Sequence, residues 1–185
     1  RRNHGNKVFT PTSTADGLMD EALDFSAANL DEDRIDITGT FGIDDTEPFT
    51  WEMWVYTRTI GNGRGYIGFG NGVPTATVLT TATGDKLKLD NPGNNGITTS
   101  NAVLIANTWQ HIAIVHAGGA TSSVKTHFYV DGVEKPNDNT AVTLDWGVSV
   151  DTSIGCNGAD FADQTSCTDG LIDHVIIYDT NVTAD

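Results

Sequence analysis

Phe49-Thr50-Trp51-Glu52-Met53-Trp54-Val55-Tyr56 alternates two kinds of side chain. On an extended backbone Phe49, Trp51, Met53 and Val55 share one face, and Thr50, Glu52, Trp54 and Tyr56 share the other. A period of two, filled with aromatic and β-branched residues, predicts a strand with one buried side. Arg64 to Phe69 reads as its partner strand. Beyond it, Thr75 to Thr83 and Lys86 to Leu89 flank Gly84-Asp85, a hairpin pattern, and Asn91 to Gly96 is a loop by composition. Trp109 to His116 is a further strand, ending at Gly118-Gly119. Val124 to Val130 runs into Asp131-Gly132 and then Val133-Glu134, and Asp-Gly suits the positive φ angles of a tight hairpin. Ser149 to Ile154 and Leu171 to Tyr178 complete the pattern.

No amphipathic helix interrupts these runs, so the fold class is all-β, a sandwich or barrel. No linker or charge block divides the 185 residues. Residues 1–17 read as a polar N-terminal arm, and 18–185 as one domain. The chain opens without Met or an apolar signal core, as a mature product or an excised domain would.

Twenty Asp and five Glu face ten Lys and Arg, for a net charge of -15. Such a surface repels phosphate backbones and anionic bilayers, which argues against nucleic-acid or membrane partners. No run of about 18 apolar residues is present to span a bilayer. The two cysteines, Cys156 and Cys167, match neither a CxxC redox pair nor a four-ligand zinc site. A disulfide closing a short loop, and hence an oxidising location, is the favoured reading; two buried thiols are the alternative.

Several motifs recur in a recognisable order. They are Ala22-Leu23-Asp24-Phe25, Asp33-Arg34-Ile35-Asp36-Ile37, the Phe49 strand, Thr108-Trp109-Gln110-His111-Ile112-Ala113, Phe128-Tyr129-Val130-Asp131-Gly132-Val133, Ile154-Gly155 and Asp169 to Tyr178. Together they resemble the laminin-G-like jelly-roll family of the concanavalin A-like lectin and glucanase superfamily, over about residues 20–185. The resemblance implies a two-sheet antiparallel jelly-roll sandwich and a cysteine pair bracketing the loop before the last strand. It also implies one structural calcium ion, held by Asp173 with Asp24, Asn29 and the backbone of Gly39 to Gly42. The residues themselves give Asp173 a second reading, capping nearby N–H groups or pairing with Arg34. His174 stands where the family usually has Glu, and Ile176 where it has a basic residue. The resemblance aligns Trp51 and Trp109 with the family's core.

Nothing in the sequence marks a catalyst. Glycosidases need two carboxyls about 5–10 Å apart across one bond, and the Glu-x-Asp-x-x-Glu of the glucanase branch is absent. A nucleophile elbow, a P-loop and a dinucleotide fingerprint are absent too. His111, His116 and His127 are expected as core or rim histidines rather than a zinc trio. Sugars stack on exposed aromatic rings, which makes Trp54, Tyr56, Tyr66 and Trp146, with Asn94 in its loop, the glycan-binding candidates. The expected function is a non-catalytic binding or adhesion module for glycan or protein. Its expected place is extracellular, on a cell or on a virion surface. The alternative is a structural decoration or appendage on a larger assembly such as a virion, a surface layer or a multidomain enzyme.

Overall fold

The computed structural model describes residues 6–8, 12–18, 21–25, 33–37, 47–61, 63–70, 77–90, 96–119, 125–138, 151–156 and 167–182. Among them there are strands and turns but no helix. One seven-stranded sheet is built from Asn6–Val8 (β1), Arg34–Ile37 (β4), Asp151–Ile154 (β13), Gly65–Gly70 (β6), Thr77–Ala82 (β7), Lys86–Asp90 (β8) and Ile97–Thr98 (β9), in that spatial order. The other, also of seven strands, runs Val133–Lys135 (β12), Thr126–Val130 (β11), Trp109–His116 (β10), Phe49–Thr57 (β5), Gly170–Tyr178 (β14), Ala22–Phe25 (β3) and Thr12–Thr14 (β2). Every pair of these strands is antiparallel, the arrangement of a jelly-roll sandwich.

The core lies between the sheets. From the second sheet come Phe25, Phe49, Trp51, Met53, Val55, Ile112, Ile114, Phe128, Val130 and Ile172; from the first, Tyr66, Ile67, Leu87, Leu89, Ile97 and Ile154. The even positions of β5 stay half-buried on the outer face, apart from buried Thr50. Each large apolar side chain moved into this core contributes about 1.5–3 kcal/mol.

The expected pairing of the Phe49 strand with Arg64–Phe69 is not what forms. β6 lies in the opposite sheet between β13 and β7, while β5 takes β10 and β14 as neighbours. β5 and β6, neighbours in sequence, thus face each other across the core, and the ladders of β5 join it to distant segments. The crossing is tied by Thr57 Oγ1 and Tyr66 Oη, 2.6 Å apart in the buried space between the sheets.

The expected hairpins are present. Gly84 and Asp85 have φ of 80° and 58° between β7 and β8, and Asp131 and Gly132 have φ of 53° and 73° between β11 and β12. In β14 the register with β5 slips between Asp173 and Ile176, with His174 at φ 52°. One extra residue reverses the facing of all that follow. Ile172, opposite Val55, and Ile177, opposite Trp51, therefore both face the core despite their odd spacing.

Candidate functional site

The outer face of the second sheet collects aromatic and ionisable side chains that the core does not need. Tyr56 lies opposite Trp109, and Trp54 lies opposite His111 on one side and Asp173 on the other. The Trp54 and His111 rings are 5.2 Å apart at 59°, and the Tyr56 and Trp109 rings 5.8 Å apart at 57°. All four are half-buried, each leaving part of its ring to solvent. Period-two alternation on β10 puts them there: Ile112 and Ile114 take the inward positions, so Trp109, His111 and Val115 take the outward ones.

Glu52 anchors the next row. Its Oε1 accepts a 3.0 Å hydrogen bond from Tyr178 Oη, and its Oε2 lies 3.5 Å from His111 Nε2. Accepting that bond, Glu52 holds the Tyr178 phenol protonated and raises its pKa. Farther along the face Val115, Ala117, His127, Tyr129, Glu134, Asn181 and Val182 line a groove of about 330 Å³. There His127 Nδ1 sits 2.7 Å from Glu134 Oε1, and burial with the nearby Glu134 raises the Tyr129 pKa.

The glycan candidates divide. Trp54 and Tyr56 are neighbours on this face. Tyr66 is a correction: it is fully buried, its hydroxyl bonded to Thr57 and its pKa pushed upward by burial. A side chain that bridges the two sheets is not open to a sugar. Asn94 and Trp146 lie outside the described residues. Trp109 is the residue sequence reasoning assigned to the core instead of the surface. The alternation of Ile112 and Ile114 with Trp109 and His111 carries the signal for its true side. Trp51, as expected, is fully buried.

The described residues contain no group of three acids, cysteines or histidines suited to a metal. Asp24 and Asp173 share the outer face but belong to different rows, Asp24 opposite Leu171 and Asp173 opposite Trp54. Both Asp24 oxygens accept from Arg58, at 2.7 Å each. Arg34 pairs with Asp36 at 2.9 Å. Asn29 and residues 39–42 lie outside the described residues.

The three histidines part as expected. His116 is buried with Nδ1 3.0 Å from Thr126 Oγ1, while His111 and His127 face outward about four residues of strand apart, roughly 13 Å. Cys156 and Cys167 are bonded. They join the end of β13 in one sheet to the approach of β14 in the other.

Two antiparallel sheets packed face to face are the build of a jelly roll. The chain belongs to the laminin G family of the concanavalin A-like lectin/glucanases superfamily, whose model matches residues 29–185. Among solved structures it is similar to domain 4 of AbnA, a GH43 extracellular arabinanase from Geobacillus stearothermophilus, in complex with arabinotriose. That likeness has a TM-score of 0.68 and 18% identity, over 94% of this chain and 78% of the other. It is also similar to the CBM40 of the Ruminococcus gnavus IT-sialidase bound to alpha2,3 sialyllactose (TM-score 0.59, 11% identity, 81% and 91% covered). A third likeness is to the binding domain of Paraclostridial Mosquitocidal Protein 1 (TM-score 0.66, 13% identity, 98% and 45% covered). At these identities the likeness is one of fold. No curated protein matches in sequence.

Proposed function

We propose that this protein is a non-catalytic glycan-binding module, secreted or displayed on a surface, that holds sugar against the outer face of its second sheet. One observation carries the reading: Trp109, Tyr56, Trp54 and His111 form a continuous, partly exposed block across β10 and β5. Sugar rings stack on aromatic faces, and neighbouring polar groups such as Glu52 bond their hydroxyls. Arabinotriose on the arabinanase domain and sialyllactose on the CBM40 support it by likeness of fold. The Cys156–Cys167 disulfide suits an oxidising location. Calcium enters the proposal only through Asp173; a drop in Tm on chelation that Asp173→Ala removes is its support.

A glycan array followed by calorimetry tests the reading. Trp54→Ala and Trp109→Ala are each expected to weaken binding of any glycan retained by about five- to tenfold, at a stacking contribution of about 1–1.5 kcal/mol each. The bound glycan is expected to be recovered uncleaved. An empty array, or unchanged affinity in both variants, sinks this reading.

A further inference from the structure

Charge on the same face points to the class of glycan it takes, an inference that rests on the reading above. Trp54 stands between acids. Glu52 follows it along the outer side of β5, and Asp173 lies directly opposite on β14. In the neighbouring row, beyond Tyr56 and Leu171, Asp24 shares Arg58 with Asp169, at 2.7 and 3.8 Å. Glu52 and the Asp24–Arg58–Asp169 group thus leave more acid than base beside the Trp54–Tyr56 pair among the described residues.

Among the described residues, the other cations do not alter this balance. Arg34 is buried against Asp36, and Arg64 donates to the Cys167 carbonyl. Lys7, Lys86 and Lys88 belong to β1 and β8 of the opposite sheet. Lys135 pairs with core-facing Phe128, which puts it on the inner side of its strand. Lys125 precedes β11 and bonds through its carbonyl to Ala117, six residues along from His111, or about 20 Å. Arg1 and Arg2 lie outside the described residues. Arg58, the one cation beside the aromatic block among the described residues, already has both its outer nitrogens engaged by Asp24. Carboxylate and sulfate groups on sugars are held by arginine forks or lysines, and here such a group meets carboxylates instead.

We infer that the face selects uncharged or amine-bearing glycans and rejects carboxylated and sulfated ones, with Glu52 as a residue that sets the selection. Tyr178 and His111 hold the Glu52 carboxylate at the edge of the aromatic block, where a substituent on a sugar stacked over Trp54 must pass it. An ammonium group gains there twice, from the acids and from the ring faces.

The test uses the full chain and two kinds of matched probe. One is glycans with and without terminal sialic acid. The other is three β-1,4-linked hexamers that differ only in charge: cellohexaose, the glucosamine hexamer and the glucuronate hexamer. At low ionic strength the acidic member of each set is expected to bind about tenfold or more weakly than its uncharged counterpart, two nearby charges sufficing for that ratio. The amine is expected to bind at least as tightly as the uncharged hexamer, and added salt to narrow every gap. Glu52→Gln is expected to shrink the ratio, and Glu52→Lys to reverse it. Should either variant fail to fold, the salt response of the unaltered protein decides the same question. Acidic and uncharged probes binding equally, with no response to salt, overturns this inference and leaves the glycan reading standing. Binding of none of them, on an otherwise empty array, overturns both.

Discussion

Arg58 grips both carboxylate oxygens of Asp24 at 2.7 Å, and its backbone N–H donates to the Asp169 carbonyl at 2.8 Å. One residue just past β5 thereby fastens both β3 and the entry to β14. The pair is a quarter to a third exposed, so solvent screens it. Asp24→Asn is expected to cost about 1 kcal/mol in chemical denaturation. The cost should be the same with calcium and with chelator. A loss seen only with calcium present would return Asp24 to a metal site.

Burial pushes His116 down to about 4, with smaller effects from the Gly119 backbone, which raises it, and Lys125, which lowers it. A free imidazole titrates near 6.5. Between those values the unfolded chain takes up a proton that the folded chain refuses. The resulting stability is present in full above pH of about 6.5 and drains away as pH falls toward about 4. Denaturation between pH 7 and 4 is expected to show a decline in which His116 accounts for up to about 3 kcal/mol. His116→Gln should flatten that decline. An unchanged slope in the variant rules the histidine out as its source.

The disulfide closes a loop of 11 residues' separation and spans the two sheets. Chain-entropy arguments put its contribution at about 3 kcal/mol. Reduction, or Cys156→Ser with Cys167→Ser, is expected to lower the denaturation midpoint accordingly while the strand signal in circular dichroism persists. A midpoint within error of the oxidised protein contradicts a stapling role.

A Cβ on Gly170 would collide with the Tyr56 carbonyl oxygen and come within 3.1 Å of Thr57 Cα. Both are backbone atoms of β5, which cannot turn aside as a side chain can. Gly170→Ala is expected to cost about 3 kcal/mol or more, or to prevent folding. Gly132→Ala, with nothing within 4 Å of its Cβ but φ at 73°, should cost about 1 kcal/mol. Equal costs at the two positions would mean that strand proximity is not what Gly170 provides.

Much of this architecture is legible in local sequence. Alternation in Phe49–Tyr56 marks Phe49, Trp51, Met53 and Val55 as buried, and Asp131-Gly132 announces its hairpin, because both effects act within a few residues. Half of the candidate face is legible too, in Trp54 and Tyr56. Tyr66 and Trp109 exchange the places expected of them. For Trp109 the period-two pattern with Ile112 and Ile114 already carries the answer; for Tyr66 the deciding quantity is which sheet its strand joins, and that is not local.

The amino-acid sequence by itself determined the strands, their turns, the acidic charge and the family to which the chain belongs. Each follows from the chemistry of adjacent residues or from their order. Only the tertiary structure decided which strands became neighbours, that Arg58 would occupy Asp24, and that Trp54 would stand between His111 and Asp173. Those relations join residues some 34 to 119 positions apart, brought together when both sheets buried their apolar faces at once and a bulge in β14 set the final facing of its side chains.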